Sequence, residues 1–352
     1  MSSELRNASP LLREQGGRRK RRAWALRAVP AAAVAFTVLA APGQAEALGD
    51  PKIYVANNLG NTVSVVDAGS NAVVGTIPVA APYDVATTSS PTPRAYVTSF
   101  STDTVAVIDT TRDVIVGTIP VGGQPTGVAV STGLRRAYVT NYASSTVSVI
   151  DTATNSVVDT IPVGVGPVDI AILDARTYHI GYVTNYEDGT LSVINLANNT
   201  VVQTIPVGLF PEGVAASDDL SSPRVYVANS GETTVTVIDA RMSAVVGTVA
   251  LGAGTFPRGV AIDSDARESR VYVANVGGTV SVVDVDTNSV VRTFAGGGGG
   301  AAAVAVADDL LSPRIYVSRN IANAVTVLEA QNGGPVATVP VGAGPTSVAI
   351  QK

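Results

Sequence analysis

The dipeptide Tyr-Val recurs seven times along this 352-residue chain, beginning at Tyr54, Tyr96, Tyr138, Tyr182, Tyr226, Tyr272 and Tyr316, at intervals of 42, 42, 44, 44, 46 and 44 residues. A period near 44 marks an array of like units, each too small to bury its own apolar surface and stable only against its neighbours. The third unit shows the pattern best: Tyr138-Val-Thr-Asn, Thr146-Val-Ser-Val-Ile-Asp, Val157-Val-Asp-Thr-Ile-Pro-Val and Pro167-Val-Asp-Ile-Ala-Ile. Short β-branched runs separated by Gly, Asn, Asp and Pro predict strands joined by tight turns, hence antiparallel neighbours, four to a unit.

Chemistry orders the strands. The Thr-Ile-Pro-Val run carries Pro78, Pro120, Pro162, Pro206 and Pro340, and proline lacks the N–H that a central strand must donate, so this run is the outer edge. The small, apolar Gly127-Val-Ala-Val type suits the crowded inner end of a radial sheet. The first unit lacks such a strand before Tyr54, whereas the last has a spare one, Thr346 to Ile350. A ring in which residues 346–350 complete the first sheet uses both facts and leaves no end to cap. The expected fold is all-β: a seven-bladed β-propeller of four-stranded antiparallel blades, closed by its C-terminal strand.

With these motifs the unit resembles the YVTN family of β-propeller repeats, including the YncE-like proteins. The resemblance runs from Tyr54 to the C terminus. It implies the fold and little about activity, because such repeats occur in surface-layer-like proteins, in exported proteins and beside redox domains.

Basic residues Arg18 to Arg22 and Arg27 precede an apolar segment, Ala28 to Ala41, and Ala45-Glu46-Ala47 supplies the small residues a signal peptidase requires. Residues 1–47 therefore read as a signal peptide and 48–352 as one propeller domain, secreted or extracytoplasmic at the cell surface or wall. The apolar segment is shorter than the roughly 20 residues of a spanning helix, which favours cleavage over the alternative of an uncleaved anchor, and no membrane attachment is expected after cleavage. The arginine pairs followed by Ala23-Trp-Ala-Leu leave the general and twin-arginine export routes both open. With 20 Arg against 3 Lys and abundant Ala, Gly and Val, the composition suits a GC-rich bacterial source.

The leader carries eight basic and three acidic side chains, so its removal takes the net charge from −5 to −10. A field of that sign repels phosphate backbones, so no nucleic-acid partner is expected. Absence of cysteine excludes disulfides, thiol nucleophiles and thiolate metal sites.

Residues that the repeat does not require are the candidates for function. Tyr83, Tyr142, Tyr186, Phe100, Phe210 and Phe256 map to connections at one end of the ring, the top, as a ligand site would. Just inside the inner strands, the second position reads Tyr83, Thr126, Val168, Glu212, Arg258, Ala302 and Thr346 around the ring. Neighbouring Glu212 and Arg258 are placed to grip a polar ligand or to fasten two blades, with Asp84, Asp169 and Arg319 as further members. The recurring Asp67, Asp109, Asp151, Asp239 and Asp284 read as turn caps. The acidic pairs Asp218-Asp219, Asp263 with Asp265 and Asp308-Asp309 match no EF-hand loop and read as solvated turns. Gly296 to Gly300 precedes a strand, not a helix, and is no phosphate loop. No metal site or cofactor is expected, and His179, the one histidine, falls on a bottom turn, which rules out a Ser-His-Asp triad at the top.

The leading expectation is an exported binding or scaffold module whose top face contacts a protein, a cell-wall glycan or a small molecule. The alternative is a histidine-independent lyase, isomerase or lactone hydrolase using Glu212, Arg258 and Tyr83 at the channel mouth.

Overall fold

The computed structural model describes residues 51–89, 92–175, 178–217, 222–263, 269–307 and 313–351. These form seven four-stranded antiparallel sheets and no helix. The expected leader, Asp218-Asp219, Asp265 and Asp308-Asp309 lie outside the described residues.

Each sheet is a propeller blade with the strand order that proline placement predicts. Blade 3 runs outward from Pro125–Ser131 through Arg136–Asn141 and Thr146–Asp151 to Ser156–Pro162. The inner strands touch one another all the way round, last to first included. Closure is made by Pro345–Gln351, which pairs antiparallel with Lys52–Asn57 and sets Val348 opposite Val55.

Blades stack face to face, so their middle strands are covered on both sides. Ile53, Tyr54, Val55 and Ala56 are all fully buried, which explains a continuous apolar run where a half-exposed strand would alternate. Seven apolar clusters result, each spanning two adjacent blades. The repeat tyrosines cross these seams. Tyr54 donates from its hydroxyl to Asp113 Oδ1 (2.6 Å) on the next blade, and Tyr138 and Tyr272 reach the carbonyls of Leu196 (3.4 Å) and Ala330 (3.3 Å). Burial pushes the Tyr138 hydroxyl up to about 12, so it stays a donor. The tyrosine thus supplies bulk to the seam and a polar anchor beyond it.

The recurring aspartates cap turns, as expected. Asp151 Oδ1 accepts the N–H groups of Ala153 (2.8 Å) and Thr154 (3.0 Å), while Oδ2 accepts from the Arg136 guanidinium. These bonds, that from Thr154 foremost, hold the Asp151 carboxyl below its ordinary value. Arg94, Arg224 and Arg270 pair likewise with Asp109, Asp239 and Asp284. The histidine differs from expectation: His179 lies on a strand, Tyr178–Asn185, because Leu173 and Ile180 extend the hairpin with its partner strand. There its Nδ1 sits 2.5 Å from Asp174 Oδ1.

Removing residues 345–352 bares the inner edge of blade 1 and takes Val348 from the seam between blades 7 and 1. The melting temperature, followed by circular dichroism, is expected to fall by more than about 10 °C or the cooperative transition to vanish. An unchanged melt would refute closure by this strand.

Candidate functional site

In blades 2 to 6 the inner strand opens with a proline and then slips register against its neighbour, as between Pro82 and Val85, where two residues face one. Such a bulge re-aims side chains, here the second and third residues toward the ring axis. The third position reads Asp84, Gly127, Asp169, Gly213, Gly259, Ala303 and Ser347. Crowding explains its glycines: a Cβ on Gly127 would stand 2.7 Å from the Val168 carbonyl oxygen, and one on Gly213 2.2 Å from that of Arg258.

A polar bar spans the channel mouth. Arg258 Nε donates to Glu212 Oε2 (2.7 Å) on the adjacent blade, and its Nη2 donates to the Tyr83 hydroxyl (3.3 Å) across the opening. Burial works against the arginine charge, but Tyr83 and Glu212 outweigh it and raise its pKa. Above the bar lies a bowl of about 400 Å³ lined by Tyr83, Phe100, Tyr142, Tyr186, Thr126, Val168, Glu212 and Arg258. Below it the channel holds about 90 Å³ and takes in Asp84 and Asp169.

Two ring stacks wall the bowl. Tyr83 lies on Phe100 with centroids 5.6 Å apart, and Tyr186 on Phe210 at 4.9 Å. Between them Tyr142 donates to Glu187 Oε1 (2.5 Å). That bond, then burial, raises the Tyr142 hydroxyl to about 12. Burial and the carboxylates of Glu212 and Glu187 also raise Tyr186.

The channel aspartates tie neighbouring inner strands together. Asp84 Oδ1 accepts from Val85 N–H (2.8 Å) and Ser347 Oγ (2.5 Å), and Oδ2 from Val128 N–H (2.8 Å). Asp169 accepts from Ile170 N–H (2.7 Å) and Val214 N–H (2.9 Å). Desolvation, and for Asp169 the nearby charge of Asp84, pushes both carboxyls up, Asp169 to about 7.

Of the residues singled out in the sequence, Tyr83, Phe100, Tyr142, Tyr186, Glu212 and Arg258 line the bowl, Phe210 backs Tyr186, and Asp84 and Asp169 lie beneath. Two stay apart. Phe256 is 53% exposed and does not line the bowl. Arg319 occupies the position that is asparagine in most blades, and its Nη1 bonds Thr326 (3.2 Å) beneath the Gly296–Gly300 connection. Glu187 went unnoticed in the sequence. It stands in the turn Tyr186-Glu-Asp-Gly, where blade 3 has Tyr142-Ala-Ser-Ser, so comparison of turns exposes it. Among the described residues no cluster of His, Cys, Asp and Glu has the makings of a metal site.

The chain is similar in structure to hydrazine synthase of Kuenenia stuttgartiensis, with a TM-score of 0.71 at 21% identity, covering 80% of this chain and 92% of that one. It is also similar to a functionally unknown protein from Desulfotomaculum acetoxidans, with a TM-score of 0.72 at 17% identity, covering 86% and 99%. Dihydro-heme d1 dehydrogenase NirN, in complex with DHE, gives a TM-score of 0.59 at 16% identity, covering 85% and 74%. These likenesses are of fold. No family model matches the chain, and no curated protein matches it either.

Asp169 binds its proton more tightly folded than unfolded, where a carboxyl titrates near about 4. Its contribution to stability therefore falls as pH rises from there through about 7, and levels off above about pH 8. The melting temperature is expected to decline between about pH 5 and about pH 8, and less steeply in Asp169→Asn, whose baseline is lower because an amide nitrogen then faces Val214 N–H. Parallel slopes for the two proteins would contradict titration of Asp169.

Proposed function

We propose that the chain is an exported YVTN-type β-propeller that works as a binding module, with the top-face bowl as its ligand site. The observation that carries this reading is the convergence of four aromatic side chains, none needed by the repeat, around a concavity of about 400 Å³, with Phe210 stacked behind one of them. Ligand pockets are of this size and composition. A small molecule, the end of a cell-wall glycan or a projecting protein side chain fits such a volume.

The acids of the mouth favour holding over turnover. Glu212 is engaged by Arg258, Asp84 by Ser347 and two backbone N–H groups, and Asp169 by two more. The bar of Glu212, Arg258 and Tyr83 is the one feature that supports a histidine-independent lyase, isomerase or lactone hydrolase. In that second reading Glu212 is the proton acceptor and Arg258 the electrostatic partner.

Replacing Tyr142, Tyr186 and Phe210 by Ala is expected to abolish capture of the partner while leaving the melt cooperative; full capture by the folded triple variant would sink the top-face assignment. For the second reading, Glu212→Gln separates the cases once a converted substrate is found. Loss of turnover by at least about a hundredfold supports general-base chemistry, whereas unchanged turnover excludes it.

A further inference from the structure

We propose that the bowl selects organic cations: ligands that carry an ammonium or quaternary ammonium group on an apolar body. The inference rests on the bowl being a ligand site, and adds the ligand's charge and shape.

The first argument is the charge inventory. Arg258 is the basic side chain in the lining, and its charge is taken up by Glu212 at 2.7 Å, with Nη2 turned to Tyr83. Among the described residues of the lining no cationic group is left over for an anionic ligand. Acidic groups outnumber basic ones: Glu187 joins the wall through Tyr142, and Asp84 and Asp169, whose carboxyls are held protonated to higher pH than usual, lie beneath the bar and add charge as they ionise. A concave site with low-dielectric walls focuses such a field and concentrates ions of opposite sign.

The second argument is the rings. Tyr83, Phe100, Tyr142 and Tyr186 line the bowl, and each ring face carries negative quadrupole density that attracts a cation. Phe210 backs Tyr186, so that ring is held in place rather than free to turn aside. Rings with surplus carboxylates suit an ammonium; a neutral sugar would use the rings but gain nothing from the charge.

The third argument is a linkage specific to a cation. Asp169 faces the carboxylates of Asp84 and Glu212, the latter carrying Arg258, and the backbone N–H groups of Ile170 and Val214. Loss of its proton near neutrality adds negative charge below the floor of the bowl. Cation affinity then rises with pH, while affinity for an uncharged ligand of the same shape stays flat.

The test is calorimetric titration of the full chain with choline, with its uncharged isostere 3,3-dimethyl-1-butanol, and with glucose. Choline is expected to bind about tenfold more tightly than the isostere. Its affinity is expected to rise several-fold from about pH 6 to about pH 8, to fall with added salt, and to drop about tenfold in Tyr186→Ala. Glu187→Gln, which keeps a partner for Tyr142, is expected to weaken choline and leave glucose untouched. Equal binding of choline and the isostere, or a choline affinity flat in pH and salt, overturns cation selection while keeping the bowl as a ligand site. Binding of glucose alone, lost in Tyr186→Ala, does the same. Silence of all three probes overturns the cation inference; the bowl reading fails separately, if the folded triple variant of Tyr142, Tyr186 and Phe210 retains full capture.

Discussion

No blade of this protein has an interior of its own, and the rest of the structure follows from that. Every apolar cluster lies between two blades, and repeat tyrosines such as Tyr54 and Tyr138 reach across the seam to a polar group on the next one. A seam is buried only if both neighbours are present, so the ring has to close for all seven seams to exist. The hydrogen bonds of Lys52–Asn57 with Pro345–Gln351 complete a sheet, and the packing of Ile53 and Val55 against Tyr316 and Val327 completes a seam. Pairing and packing close the ring at the same place.

The same crowding builds the site. Inner strands that meet around an axis have no room for side chains pointing sideways, hence Gly127 and Gly213. A bulge at the top of each inner strand in blades 2 to 6 turns two residues toward the axis. In most blades those residues are small or serve a neighbouring backbone; in blades 2, 5 and 6 they are Tyr83, Glu212 and Arg258, which span the opening. The aromatic bowl above and the acid-lined channel below are separated by three side chains.

Much of this was legible in the sequence because repetition supplies its own control. Proline on the fourth run fixed the outer edge, and the surplus strand at residues 346–350 announced closure. Adjacent Glu212 and Arg258 in the ring series gave their contact. What escaped was direction within a loop. Arg319 has the right repeat position for the top face, yet its guanidinium lies under Gly297 and bonds Thr326. Phe256 shares a loop class with Phe210, but only Phe210 finds a ring to stack on. His179 was assigned to a turn because the repeat has one there, whereas added pairing of Leu173 with Ile180 carries the hairpin past the usual length. Pairing of Asp84 with Ser347 and Val128 joins residues from three blades, which no local pattern encodes.

Closure by the strand Pro345–Gln351 has a consequence in time as well as in space. Lys52–Asn57 is the first described strand of the chain and Pro345–Gln351 the last, so the first blade is completed by a pairing between strands nearly the whole described chain apart. Until then an array of six complete blades carries an unpaired edge at one end and an unattached strand at the other. Contacts of such long sequence separation are slow to form, and the half-finished ring is the species most open to pairing with another chain or to cleavage. The protein's vulnerable moment is thus its completion, when a few residues at the end of the chain convert a stack into a circle.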